Sequence, residues 1–403
     1  MEVNYLMVTT QYHKINWPLA HDTWDNKERD AMHEVIASGK FTFGEKVKKF
    51  EDEFCDHFGF PYAVQVNSGG SANLLMVAAA VERGWISKGD KVIVPAIGWS
   101  TSYFPFIQYG IDLIFVDVDK DTWNIDVSQI EDNIKEDVRG VLAINILGNP
   151  CNYEVINSIC NNYDLVLFED NCESMGAKQG DTNCGGFGDI GTFSTFFSHH
   201  IQTMEGGMVV CNDPETYNVL LSLRSHGWTR GTKYFKDNPF EFVTLGYNVR
   251  PGELNGALGS VQLKKLENMN NQRIKNADTF IKYFGNKDYC RIQKVENNSI
   301  SSWFGFGIVF EKNAFRERTK QILKNYSIDS RPICTGNFFK QPVCEKYSDN
   351  MTRGSSLVAA TNIDDNGLFL GNNPMDLEPA IKSLSEILDH EFSEQNIINS
   401  GLL

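Results

Sequence analysis

Nine cysteines lie at 55, 151, 160, 172, 184, 211, 290, 334 and 344 of a 403-residue chain, and no two of them form a C-x-C or C-x-x-C pair. Zinc and iron–sulfur sites usually draw at least two ligands from such close spacing, so the pattern speaks against both. Free thiols in a reducing cytosol account for it better. Positive charge is short as well: 37 Lys and Arg stand against 52 Asp and Glu, a net −15. That balance disfavours nucleic acid or an anionic membrane as the main partner, while a local cationic pocket stays compatible with it. No apolar run approaches the length that spans a bilayer. Residues 1–16 carry neither the basic nor the apolar region of a signal peptide, so we expect a cytoplasmic enzyme. Internal repeats and low-complexity linkers are missing too.

What is present is ordinary globular composition, 41% hydrophobic and 22% charged, at a length that favours two domains over one core. Short apolar runs at Val92–Pro95, Leu113–Val116, Val141–Ile144 and Leu165–Phe168 read as buried parallel strands. Helical patterns such as Ala72–Arg83 and Ser128–Asp137 lie between them. This rhythm predicts an α/β fold, with a mostly parallel sheet flanked by helices and its site at the strands' carboxyl ends. From Gly252 to about Phe284 one long helical pattern leaves that unit. Strands near Ser302–Val309 and Asp329–Ile333 then mix with helices at Ala314–Tyr326 and Leu377–His390. We therefore expect a large α/β domain over 1–270 and a smaller α+β domain over 271–403.

Four segments carry chemistry. In Asn67-Ser68-Gly69-Gly70-Ser71, a strand-like Ala63–Val66 runs into glycines and then a helix, which lets backbone N–H groups approach an anion. A plain strand–turn–helix junction explains the same residues, and neither a P-loop lysine nor G-x-G-x-x-G is there. Asp170 ends an apolar strand, where a carboxylate can keep a pyridine nitrogen protonated or simply cap a helix. Glu173 follows three residues on. Trp99, just past another strand, offers a stacking face or a core side chain. The fourth segment runs Gly191-Thr192-Phe193-Ser194-Thr195-Phe196-Phe197-Ser198-His199-His200, with Glu205-Gly206-Gly207 behind it.

In their order and spacing these segments resemble the DegT/DnrJ/EryC1/StrS sugar aminotransferases, a family of fold type I pyridoxal-phosphate enzymes. The likeness runs from Ser38-Gly39-Lys40-Phe41-Thr42 to Gly367-Leu368-Phe369-Leu370-Gly371-Asn372, nearly the whole chain. In most of that family a lysine five residues after the serine binds the cofactor covalently; here the position is His199. A histidine forms no such bond but moves protons near neutral pH. With Arg224-Ser225-His226-Gly227-Trp228-Thr229-Arg230 and Arg331-Pro332-Ile333-Cys334, the chain is most similar to the nucleotide-sugar 3-dehydratase branch, with GDP-4-keto-6-deoxymannose the preferred substrate and a CDP- or dTDP-linked sugar left open.

The resemblance implies pyridoxal 5'-phosphate and pyridoxamine 5'-phosphate as cofactors, with His199 as catalytic base and acid. It gives the cofactor phosphate to Gly69, Gly70 and Ser194, ring stacking to Trp99, the pyridine nitrogen to Asp170 and the ring oxygen's surroundings to Glu173. Relatives often carry a hydroxyl residue where Gly70 stands. Asn248 matches an asparagine that reaches the neighbouring subunit's cofactor, so a homodimer with its active site at the interface is implied. His226, Arg230 and Arg250 match the positions holding the amine donor, L-glutamate, although the two arginines also suit surface ion pairs. Ser38, Gly39 and Lys40 match contacts to the nucleotide-sugar substrate, although Gly39 equally suits a helix C-cap. Asn373 falls where relatives often have histidine. Two other functions fit the same residues less well: a sugar 4-aminotransferase, which needs the missing lysine, and a non-catalytic sugar-nucleotide-binding protein, which has no need of an electron sink.

Overall fold

The computed structural model describes residues 15–238, 240–393 and 396–397; the stretch 1–14 read for a leader lies outside them. Seven strands form the centre: β1 (Tyr62–Val66), β2 (Lys91–Pro95), β3 (Asp112–Val116), β4 (Val138–Ile144), β5 (Val166–Asp170), β6 (Ile190–Ser194) and β7 (Gly207–Cys211). Their order is β1-β7-β6-β5-β4-β2-β3, and Met351–Arg353 adds an eighth strand beside β3. Only β7 runs against its neighbours, β1 and β6; the other pairs are parallel. Helices cover both faces, so the strands are buried and read as unbroken apolar runs.

The four apolar runs become strands within a few residues of where they were expected. β6 and β7 are the strands that periodicity did not single out. β6 (Ile-Gly-Thr-Phe-Ser) buries two hydroxyls, Thr192 and Ser194, and a half-polar run gives no apolar signal.

Three expected elements are corrected. Ser128–Asp137 is no helix: Val127–Gln129 and Glu131–Asn133 form two 3-10 turns. There the Asp126 carboxylate accepts from Ser128 N–H and Asn133 Nδ2 donates to the Gln129 carbonyl. Such local bonds compete with the helical ladder. The long pattern from Gly252 breaks into Glu253–Leu263 and Leu266–Phe284. At the break Gln262 Nε2 donates to Glu28, and Lys265 pairs with Asp25 and Glu28, tying it to the helix Asn26–Ser38. The strand expected over Asp329–Ile333 shrinks to Ser330–Arg331, because Pro332 has no N–H for a ladder.

A second core surrounds a four-stranded antiparallel sheet ordered Cys290–Ile292, Gly305–Phe310, Gly367–Gly371, Ser330–Arg331. Phe280, Phe284, Phe306, Ile381 and Leu384 fill it, and Trp17 joins from the other end of the chain, its indole N–H donating to the Gly371 carbonyl at 2.7 Å. The two units thus exchange segments in both directions, Met351–Arg353 joining the large sheet and Trp17 the second core. The cavity lies between them.

Candidate active site

The cavity, of about 400 Å³, opens at the carboxyl ends of the parallel strands, where α/β sheets place their sites. At one end is the helix Gly69–Glu82, which begins at the first glycine, with the Ser68 side chain accepting from Ser71 N–H. Gly69 and Gly70 are therefore its first two residues, whose N–H groups have no intrahelical partner. Ser194 Oγ faces them. A Cβ on Gly69 would stand 2.8 Å from Ser194 Cβ and 3.2 Å from Cys172 Sγ, so only glycine leaves the cradle open. Together, the free N–H groups, the helix dipole and a hydroxyl suit a phosphate. Thr101, whose Cγ2 would lie 3.1 Å from a Cβ on Gly70, brings a hydroxyl residue to the point where Gly70 lacks one.

Asp170 closes β5 and is buried. Its Oδ2 accepts from Ser102 Oγ at 2.6 Å and Asn73 Nδ2 at 2.9 Å, and its Oδ1 accepts from Cys172 N–H at 3.0 Å. Thr192 in turn donates to Asn73 Oδ1 at 2.6 Å, fixing which way that amide faces. Every contact to the carboxylate is a donor, and none is a cation. The site thus holds a fixed negative end that suits a protonated ring nitrogen. Trp99, 51% exposed, stands at the rim with a free face.

Glu173 accepts from Leu147 N–H at 2.9 Å and from the Cys334 thiol at 3.6 Å. Leu147 takes a left-handed φ of 56°, a conformation costing on the order of 1 kcal/mol for a leucine. That strain aims its N–H at the carboxylate. Burial pushes the Glu173 carboxyl upward, while the Arg331 charge opposes the shift.

His199 is the best-defined group. Its Nδ1 lies 2.6 Å from the Cys172 carbonyl. A carbonyl only accepts, so Nδ1 carries the proton and Nε2 keeps its lone pair. The ring leans on Phe304 at 5.0 Å between centroids. Burial brings its pKa down from 6.5 to about 4, against the upward pull of the Cys172 carbonyl; the Arg331 charge adds to the lowering. His199 is therefore a neutral acceptor at pH 7. Among the described residues lining the cavity there is no lysine.

The fold thus brings together Gly69, Gly70, Trp99, Asp170, Glu173, Ser194 and His199. It does not bring Asn248, His226, Arg230, Arg250, Ser38, Gly39 or Lys40 to this cavity in one chain. Gly39 ends the helix Asn26–Ser38 at φ 68°, as a C-cap does, and Lys40 pairs with Glu45 on the surface. Arg250 Nε donates to Asn248 Oδ1 at 3.0 Å, and Arg230 lies 5.3 Å from the Trp228 ring. Asn373, buried, donates from Nδ2 to the Pro18 carbonyl at 2.8 Å, which is a structural tie. Asn73, Ser102, Thr192, Leu147 and Arg331 were given no role by the sequence reading, although Thr192 and Arg331 stand in motifs that carry the resemblance. Their contacts are made between segments far apart in the chain, so only the tertiary structure shows them.

The donor set fits pyridoxal phosphate at each point where a group is available: an anion cradle, a carboxylate, a stacking face and a proton acceptor. The profile of the DegT/DnrJ/EryC1/StrS aminotransferase family matches residues 22–377. A GDP-4-keto-6-deoxy-D-mannose 3-dehydratase of Yersinia pseudotuberculosis is 44% identical over 389 residues, 93% of this chain and 98% of that protein. A solved E. coli GDP-4-keto-6-deoxy-D-mannose-3-dehydratase with bound hydrated PLP is 43% identical with a TM-score of 0.89, covering 93% of this chain and 100% of that one. Another solved GDP-4-keto-6-deoxymannose-3-dehydratase, with a trapped PLP-glutamate geminal diamine, is 42% identical with a TM-score of 0.88 and the same coverage. With the profile spanning most of its length, this chain belongs to the DegT/DnrJ/EryC1/StrS aminotransferase family and has its fold type I architecture.

Proposed function

We propose that this protein removes the C3 hydroxyl of a nucleotide-linked 4-keto-6-deoxyhexose, GDP-4-keto-6-deoxymannose, with L-glutamate as amine donor. The net reaction yields the 3,6-dideoxy-4-keto sugar, ammonia and 2-oxoglutarate. The observation that carries this reading is His199, a neutral base with a fixed tautomer where aminotransferases of the family need a lysine. The relatives' names supply the sugar nucleotide.

When bound, pyridoxamine phosphate supplies an amine for the C4 ketone and a cationic ring that accepts electrons. Gly69, Gly70 and Ser194 would hold its phosphate, Trp99 its ring face and Asp170 its nitrogen. Three donors keep the Asp170 carboxylate in place, so it faces the ring without rearranging. Nε2 of His199 takes up a proton inside the cavity and returns it to the departing C3 oxygen, serving as base and then acid. Its low basicity keeps the acceptor form dominant and makes the protonated form a strong donor. Phe196 and Phe304 line this side of the cavity, their ring centroids 6.2 and 5.0 Å from that of His199.

The active unit in this reading is a homodimer. The loops carrying 226–230 and 240–250 expose Phe240, Phe242 and Leu245, the last at 92%. Apolar surface of that kind marks an interface. A two-fold partner would cover it and bring Asn248, His226, Arg230 and Arg250 to the neighbouring cavity. The same reading takes residues 1–270 as the large cofactor-binding domain and 271–403 as a smaller C-terminal domain that contributes Phe304, Arg331 and Cys334 to the cavity.

The decisive experiment incubates the protein with pyridoxal phosphate, glutamate and GDP-4-keto-6-deoxymannose and weighs the sugar product. Loss of one oxygen with ammonia released is the expected result. An amine in place of the keto oxygen would make the protein an aminotransferase, and unchanged substrate would remove this sugar from consideration.

A further inference from the structure

His226, Arg230 and Arg250, the residues matched to the amine donor, lie away from the cavity of their own chain. One cation does not. Arg331 is the only arginine or lysine among the described residues lining the cavity. It stands on Ser330–Arg331, the edge strand of the small sheet, in register with Phe369. Its guanidinium carbon lies 4.4 Å from the Phe369 ring centroid. On another side its Nη2 is 3.9 Å from Glu173 Oε1, an ion-pair distance too long for a hydrogen bond. Among the described residues none accepts a hydrogen bond from this guanidinium. The side chain remains 33% exposed.

The group is thus held by an aromatic face and a neighbouring carboxylate, with its donors unused. A planar fork fixed in this way is suited to receiving an oxyanion through two parallel hydrogen bonds. Besides the cofactor phosphate, three anions enter this site under the proposed function: the α- and γ-carboxylates of glutamate and the diphosphate of the sugar nucleotide. Position separates them. Arg331 touches Glu173 and its charge reaches His199, so it stands beside the group that moves the proton. An amino acid's α-carboxylate carbon is ~2.5 Å from the nitrogen it gives up. The diphosphate hangs from C1, across the sugar ring from the reacting C4. The nearer anion fits the nearer cation.

We propose that Arg331 receives the α-carboxylate of the amine donor, and so selects an α-amino acid for this site. This rests on the reading that an amino acid replenishes the amine. Arg331 is supplied by the same chain as His199, unlike the three residues placed on the outer loops. Those are left to act on the donor's far carboxylate or on the nucleotide.

The test uses the holoenzyme and the variants Arg331→Gln and Arg331→Lys, with retained cofactor absorbance as the check of folding. Calorimetry measures binding of α-methylglutamate, which keeps both carboxylates but has no Cα proton to lose, and separately of GDP. Arg331→Gln should weaken α-methylglutamate roughly 100-fold, as expected for a lost charged bidentate contact. Arg331→Lys should recover part of that loss, and GDP affinity should stay within about twofold for both variants. Unchanged α-methylglutamate binding would overturn the proposal. A loss confined to GDP would overturn it too, by giving Arg331 to the diphosphate. Neither titration involves the keto sugar, so a failure of the dehydratase reading would show in the product mass and leave this result standing.

Discussion

The floor of the cavity and the loops that carry 226–230 and 240–250 contrast sharply. On the floor Asp170, Asn73 and His199 are held by hydrogen bonds within the chain. Asp170 has three donors, Asn73 is itself oriented by Thr192, and His199 has its proton fixed by the Cys172 carbonyl. On the loops, Phe240 and Leu245 are 70% and 92% exposed, and the recognition residues lie apart from the cavity. A buried polar group without a partner costs on the order of 1–3 kcal/mol, so the floor must be complete within one chain. Exposed apolar residues carry a smaller penalty and can wait for a partner surface. The side chains around His199 are therefore preassembled within one chain, whereas under the proposed function the loop residues reach a cavity only through a partner, with Arg331 as the exception.

This contrast can be broken from either side. The largest effect is expected at His199. His199→Asn removes the base, and turnover should fall by roughly 10²- to 10⁴-fold, while cofactor absorbance after desalting matches the parent; cofactor loss in step with activity would mean His199 is structural. Next is the loop side. Leu245→Glu places a charge where apolar contact is expected, worth about 1.5–3 kcal/mol per side chain. Light scattering should show the mass shifting towards a single chain, with activity falling and the isolated fold intact by circular dichroism. An unaltered mass and activity would remove these loops from the interface.

A smaller effect tests the support of Asp170. Ser102→Ala deletes one of its three donors, and cofactor should dissociate about tenfold more readily, read as a weakened dissociation constant with unchanged oligomeric mass. The smallest effect is acid sensitivity. Burial lowers His199 to about 4 and takes His200, fully buried, well below its ordinary 6.5. Above pH 6.5 neither the folded nor the unfolded chain protonates these rings. As pH falls from about 6.5 towards 4, the unfolded chain takes up protons that the folded one refuses, so stability declines over that window. Urea midpoints should drop steadily between pH 7 and 5, and His200→Phe should flatten the decline. An equal slope in that variant would count against His200 as a source.

Much of the floor was legible in the chain because its signals are local. Apolar runs gave the central strands, paired glycines after a strand gave the cradle, and a carboxylate at a strand end gave Asp170. The substitution of His199 for lysine was legible only against the family's pattern. Misreadings arose where side chains took over backbone bonds, as at Asp126 and Asn133, or where a tertiary tie cut a continuous pattern, as at Gln262 and Lys265. Asn73 and Ser102 each lie on an apolar helix and point to nothing in their own segments. They matter because both helices pack against the end of β5.

The sequence by itself determined the fold class, since strand–helix alternation is a property of neighbouring residues, and it marked the glycine pair and His199 as candidates once set against the family's pattern. Only the tertiary structure decided which nitrogen of His199 is basic, what holds Asp170 still, and that Arg331 enters the cavity. Each of these depends on a contact between segments far apart in the chain, such as the Cys172 carbonyl under His199 or the Phe369 ring under Arg331, and hydropathy or spacing carries no trace of such contacts.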